Sequence, residues 1–306
     1  MISLKARLVL FMLYSRNRRI KQKENVDWST REAVVQFRQR VGEGAGRFGA
    51  LPDGIETRLL TIGDIPAEWI LHPRSTSDRV MLYVHGGGYV SGTIDAHRAI
   101  VAKFVHRSEV GALLFEYRLA PENPYPAALE DSLAVYRWLL GQGVPPSSIV
   151  LVGDSAGGGL ALATMLALKD LGEPLPAAAA VYSPVTDYTC SGESYRTNAG
   201  TCLSPTGIGP AFARHYAGGE DPGIPYISPL HGDLHGLPPL LIYAGGYETL
   251  LDDSLRFAEK ARAAGVEVRL EVGERMFHCY PACAPMFPEA TAALNDICDF
   301  VRAHLP

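Results

Sequence analysis

The sequence has no hydrophobic run long enough to cross a bilayer as a helix. Its first apolar stretch, Ala6 to Tyr14, falls far short of the ~20 residues such a span needs. Nor does that stretch read as a cleaved leader. Lys5 precedes it and Arg7 stands at its start, but Arg16, Arg18, Arg19, Lys21 and Lys23 follow it, and no Ala-x-Ala-like cleavage site appears. The expectation is an amphipathic helix laid over the protein body, with an interfacial membrane contact by the same helix left open. Surplus basic charge is also missing. Against 33 Asp and Glu stand 28 Lys and Arg, a formal net charge of −5, so no cationic field is available for nucleic acid. Cysteines are few: Cys190, Cys202, Cys279, Cys283 and Cys298 are odd in number and scattered, unlike a disulfide framework, and reduced thiols in a cytoplasmic enzyme are the simplest expectation. There is no internal repeat and no low-complexity tract.

What is present is alternation. Short apolar runs rich in β-branched and aromatic residues occupy 67–72, 79–84, 110–116, 149–153, 177–183, 239–244 and 266–272. Helical patterns lie between them near 94–107, 126–141, 156–171 and 252–264, with a last one near 287–304. This order predicts an α/β fold with a mostly parallel sheet covered by helices on both faces. Runs that are continuously apolar, rather than alternating, agree with strands buried on both sides. Two stretches break the rhythm: 1–50, helical and charged, and 184–236, rich in Gly, Pro, Ser and Tyr and long for a simple connection. Both are expected to form a helical cap above the carboxyl ends of the strands, where open α/β sheets place their ligands. The catalytic domain would then comprise 51–183 and 237–306.

Gly153-Asp154-Ser155-Ala156-Gly157 fits G-x-S-x-G and stands between the strand IVLVG and an Ala/Leu-rich helix, the setting a nucleophile elbow requires. A glycine-rich turn with an incidental serine is the plainer alternative. Upstream, His85-Gly86-Gly87-Gly88 follows the strand RVMLYV. Acyl transfer needs backbone N–H donors aimed at the developing oxyanion, and glycines let the main chain come close. Gly87, Gly88 and Ala156 are the expected donors, Gly86 a further candidate, and His85 a residue that orients the loop. The base should follow a late strand, and His278 does so. His72 and His97 precede the nucleophile, His106 and His304 fall in helices, His215 is in the cap, and His231 and His235 lie before the next strand. The i, i+4 spacing of that last pair suggests a metal site only on a helix, which Gly232 and its surroundings argue against. The orienting carboxylate belongs between Ser155 and His278 at a strand end. Glu248, directly after LLIYAGG, is preferred to Asp252, which with Asp253 reads as a first-turn helix residue. Cys279, beside the histidine, is expected to pack against the site rather than attack.

On these motifs the chain resembles the bacterial hormone-sensitive-lipase-like esterases, within the carboxylesterase and arylacetamide-deacetylase group of α/β hydrolases. The likeness rests on HGGG at 85–88, GDSAGG at 153–158, Tyr117-Arg118-Leu119-Ala120-Pro121-Glu122 running into Pro126-Ala127-Ala128, and Ser183-Pro184 followed by Asp187. It implies a cap made of the amino-terminal segment plus an insertion after the sixth strand. It also implies hydrolysis of acyl esters without metal or organic cofactor, and leaves a homodimer open. The usual acid motif of that family, Asp-x-Leu-x-Asp, here begins with Glu248. YRLAPE is expected to be a proline-stiffened turn whose charges brace the oxyanion loop. The expected function is a serine carboxylesterase for short- to medium-chain acyl esters; the rival is a ligand receptor on a decayed hydrolase scaffold.

Overall fold

The computed structural model describes residues 2–21, 26–44 and 49–306. Lys23 of the basic cluster lies outside the described residues. The strands are β1 Glu56–Ile62, β2 Ile65–Leu71, β3 Val80–Val84, β4 Gly111–Phe115, β5 Ile149–Asp154, β6 Ala178–Tyr182, β7 Leu240–Gly245 and β8 Val268–Gly273. They form one eight-stranded sheet in the order β1-β2-β4-β3-β5-β6-β7-β8. Pairing is parallel from β4 to β8, and antiparallel where β2 meets β1 and β4. The helices are α1 Leu4–Lys21, α2 Arg31–Gly44, α3 Ile94–Ser108, α4 Ala127–Gly141, α5 Ser155–Asp170, α6 Ser194–Thr197, α7 Ile208–Ala217, α8 Leu251–Ala263 and α9 Pro288–Ala303.

Successive side chains of a strand point to opposite faces, and here both faces are covered. Leu82, Val84 and Leu151 pack with Leu133 of α4, Leu166 of α5 and Phe257 of α8. Their neighbours Met81, Tyr83, Val150 and Val152 pack with Phe104 of α3, Leu294 of α9 and the inner residues Ala6, Val9 and Leu10 of α1. The central strands are fully buried for this reason, and that is why they read as unbroken apolar runs. β1 differs. It is the edge of the sheet and exposed along most of its length, so it carries no hydrophobic period and falls in a part of the chain where no strand is expected from the sequence. No described helix is long and apolar enough to cross a membrane.

The two irregular stretches divide between two surroundings. A small cluster of Trp28, Val34 and Phe37 meets Phe212 of α7 and Val90 of the glycine loop. By contrast, residues around Ile227, Leu230 and Leu234 join the core beside α5 and α8. Lys260 of α8 donates to the carbonyls of Leu230 and Gly232 (2.8 and 2.7 Å), holding that return segment down. α1 starts beside α9, with Ser3 donating to Glu289, and its far half reaches the loops after β7 and β8, where Tyr14 meets the Tyr247 ring and donates to the Arg275 oxygen.

Candidate active site

The β5–α5 turn holds Ser155 at φ 52, left-handed backbone that a non-glycine residue adopts only when its surroundings dictate it. The surroundings are crowded. A Cβ on Gly157 would lie 2.1 Å from the Val84 carbonyl oxygen and 2.3 Å from that of His85, and one on Gly153 would lie 2.6 Å from the Gly157 oxygen. Only glycine fits at either flank. The serine therefore stands at the strand tip, at the amino end of α5, where backbone N–H groups lack helical partners and carry partial positive charge.

Two loops bring the partners. Gly245, at the end of β7, sits so close to the next loop that a Cβ would meet the Met276 and Phe277 oxygens at 2.6 and 2.7 Å. This approach, with Tyr247 N–H donating to the Met276 oxygen (2.9 Å), sets Glu248 against His278. The fully buried Glu248 places Oε2 2.5 Å from His278 Nδ1, while Oε1 accepts from Gly245 N–H at 2.7 Å. On the other side of the ring, His278 Nε2 lies 2.9 Å from Ser155 Oγ. Burial works against a charged imidazolium here. The Cys279 thiol and the Glu248 carboxylate outweigh it, and the His278 pKa is raised well above its ordinary value. Burial pushes the Cys279 thiol itself up to about 11, so Glu248 is the charge acting on His278 near neutral pH. Asp252 turns instead to α6, accepting from Ser194 N–H at 2.8 Å. Asp253 accepts from the N–H groups of Thr186 and Asp187. Both sit in the first turn of α8, as the sequence suggests.

The glycine loop is anchored by a residue that the sequence does not single out. Asp154 Oδ1 accepts from Tyr83 OH and from Gly86 N–H, each at 3.0 Å. Gly86 is thereby removed as a further oxyanion donor: its N–H is already spent on a buried carboxylate. Gly87 (φ 127) and Gly88 (φ 68) have backbone that only glycine enters without strain, and a Cβ on Gly88 would strike Phe212 at 2.2 Å. His85 is fully buried, stacked 4.2 Å from Tyr117 and 5.1 Å from His97. Burial, then the neighbouring His97, push its pKa down to about 3, so it stays neutral. His97, set aside because it precedes the serine, also lines the cavity, with Nε2 4.0 Å from Asp154 Oδ2. Its position in the first turn of α3, just past the glycine loop, was the available signal.

YRLAPE braces the glycine loop partly as expected. Uncharged groups contribute, Tyr117 OH donating to the His85 oxygen (2.8 Å) and Ala120 N–H to the Tyr89 oxygen (2.9 Å). Of its charges, Glu122 pairs with Arg38 of α2, whose guanidinium donates to the Val90 and Ala120 oxygens (2.5 and 2.7 Å), whereas Arg118 turns to Asp131 and Glu130 of α4. His231 and His235, which the sequence argues against as a metal pair, turn to separate carboxylates, His231 to Asp187 (3.3 Å) and His235 to Asp233 (2.6 Å).

A cavity of about 740 Å³ opens over Ser155. Its apolar walls include Ile100, Phe277, Ala282, Tyr188, Leu203 and Phe212. Four of the five cysteines (Cys190, Cys202, Cys279 and Cys283) line it, acting as small apolar groups; Cys279, as expected, is among them.

A family model described as alpha/beta hydrolase fold matches residues 81–282. An acetyl-hydrolase of Streptomyces hygroscopicus is 40% identical over 282 residues, 90% of this chain and 93% of that protein. The crystal structure of an esterase from the bacterial hormone-sensitive lipase family superposes with a TM-score of 0.90 at 40% identity, covering 100% of both chains. Another esterase, EstE5, soaked with p-nitrophenyl butyrate, gives a TM-score of 0.87 at 40% identity over 95% of this chain and 98% of its own. The same protein as EstE5-PMSF gives 0.86 at 40% identity over 95% and 97%.

Proposed function

The chain belongs to the α/β-hydrolase family, among the bacterial hormone-sensitive-lipase-like esterases, and from that premise we propose that it is a serine carboxylesterase acting through an acyl-enzyme on short- to medium-chain esters. The observation that carries the reading is the continuous line from Glu248 Oε2 through the His278 ring to Ser155 Oγ, with hydrogen-bond distances at both ends. His278 takes the Ser155 proton on Nε2 as Oγ attacks the acyl carbonyl. The oxygen that becomes negative is held by the N–H groups of Gly87, Gly88 and Ala156. The C–O bond to the alcohol breaks, and the alcohol leaves with the proton from His278. Water then adds to the acyl-serine by the same route and releases the acid. Glu248 keeps the Nδ1–H tautomer and balances the imidazolium. Relatives named as hydrolases favour this over the receptor alternative. Residues 1–50 and 184–236 serve as the cap, in which Phe37 of α2 and Phe212 of α7 form part of the cavity wall.

Chain length is read from the cavity, whose walls are apolar and whose size admits an acyl group longer than acetyl. With p-nitrophenyl esters, kcat/KM is expected to rise about fourfold per added methylene from acetate to butyrate and beyond, then fall once the wall is met. A steady decline from acetate onward would remove the medium-chain part of the reading.

Asp154 acts as a positioning residue for the oxyanion loop. Replacing it with Ala frees Gly86 and leaves the Tyr83 hydroxyl without that acceptor. A loop displaced by an ångström loses about 10²-fold in kcat, with KM changed less because the apolar part of the cavity wall is untouched. Asp154→Asn keeps an acceptor oxygen and should restore much of the loss. Equal kcat in parent and Ala variant would show that the loop holds itself.

A further inference from the structure

A helix laid over a protein body needs one apolar face. α1 has two. Its inner face, Ala6, Val9 and Leu10, is buried against the core. Its outer face carries Leu4, Leu8, Phe11 and Met12, exposed by 82, 59, 71 and 54%. These four stand at i, i+4, i+7 and i+8, one continuous stripe pointing away from the protein. Large apolar side chains gathered this way mark a surface that something covers.

The charge around the stripe says what covers it. Lys5, Arg7 and Arg16 are exposed, and the helix sequence continues with Arg18, Arg19 and Lys21. There is no carboxylate anywhere in α1, although the chain as a whole carries a net charge of −5. By helical spacing Lys5 and Arg7 flank the apolar stripe on its two sides, where long side chains can extend past a nonpolar boundary to an anionic headgroup. The helix is also fixed in place. Ser3 Oγ donates to Glu289 (2.9 Å), Tyr14 OH to the Arg275 oxygen (3.2 Å) and Asn17 Nδ2 to the Cys202 oxygen (3.0 Å). Cys202 and Leu203 are cavity-lining residues, so the far end of α1 meets the rim of the cavity. A second copy of the chain fits poorly. A two-fold contact would set this patch against itself and bring the cationic flanks together.

We propose that α1 is a docking helix for an anionic lipid surface, its Leu4, Leu8, Phe11 and Met12 stripe entering the headgroup boundary and its Lys and Arg flanks meeting lipid phosphates. The cavity rim is thereby held beside the lipid. This surface is independent of how Ser155 reacts, and its test reads binding rather than turnover.

The experiment is co-sedimentation of the full chain with vesicles, either pure phosphatidylcholine or equal parts phosphatidylcholine and phosphatidylglycerol. Partitioning to the anionic vesicles is expected to exceed that to neutral ones by at least about tenfold at low salt and to weaken as salt is added. Phe11→Asp combined with Met12→Asp should reduce it about tenfold or more, with hydrolysis of dissolved p-nitrophenyl butyrate unchanged. Lys5→Gln combined with Arg7→Gln, which leaves the stripe intact, should weaken it about fivefold per charge removed. Three results would overturn the proposal. One is no retention on anionic vesicles. Another is retention unaltered in both variants. The third is a dimer in sedimentation velocity that the Phe11 variant dissociates, without vesicle binding by the parent.

Discussion

A chain with Ser155 replaced by Ala is expected to turn over p-nitrophenyl butyrate about a millionfold more slowly than the parent. The size of the loss follows from the geometry. Without Oγ there is no atom at the strand tip to form the acyl bond, and the His278–Glu248 pair has no proton to remove. The glycine loop could still polarise a carbonyl, which leaves a small residual rate above water. The substitution should be mild for the fold. It removes one oxygen whose hydrogen bond is to His278, and it leaves the left-handed turn as it was, so the thermal midpoint should move by only a few degrees. Cys279 is the one other nucleophile beside the histidine. Its thiol pKa, pushed up to about 11, keeps it protonated at working pH, and its Sγ is 4.0 Å from the Asp154 carboxylate. Cys279→Ala should accordingly retain most activity. Near-parental hydrolysis by Ser155→Ala, or its collapse only on adding Cys279→Ala, would transfer the nucleophile to the thiol. Labelling by PMSF, present in the EstE5-PMSF structure, should disappear with Ser155→Ala.

How much of this the sequence shows depends on where each interaction is encoded. β3, β4, β5, β6 and β7 are legible because burial on both faces leaves an unbroken apolar run in the chain itself. Ser155, Gly87 and Gly88 are legible because a sharp turn and a close backbone approach restrict residue type, and that restriction is local. His278 and Glu248 follow from their order after late strands. The partners of Asp154 could not be read this way. Tyr83 and Gly86 reach its carboxylate across two adjacent strand ends, and nothing in GDSAG says which way the aspartate turns. The same holds for His97, brought to the cavity only by the packing of α3. β1 escapes because an exposed edge strand has no burial period to display. α1 hides its second apolar face for the opposite reason. Its residues are so apolar that Ala6 to Tyr14 reads as one run, and only the docked helix separates the side that is covered from the side that is not.

Replacing Glu248 with Gln should cost about 10⁴-fold in kcat, about 5 kcal/mol of barrier, with KM little changed. The amide occupies nearly the same volume and can still meet Gly245, so the loss is electrostatic and tautomeric rather than steric. A Gln side chain can offer N–H to Nδ1 and so favour the wrong ring tautomer, and it cannot balance the imidazolium that forms when Ser155 gives up its proton. The pH profile supplies a second readout with a definite sign. His278 must be neutral to act as base, so kcat/KM should rise with pH as the imidazolium loses its proton. In the parent Glu248 holds that limb up against burial. Removing the carboxylate deletes the charge that favours the imidazolium and leaves burial, which disfavours it. The acid limb of Glu248→Gln should therefore move to lower pH even as its plateau falls. Asp252→Asn should shift neither limb nor plateau, because Asp252 holds the backbone of Ser194 and does not touch the ring. The reverse outcome, a parental profile in the Gln variant and a depressed one in Asp252→Asn, would move the orienting role from Glu248 to the start of α8.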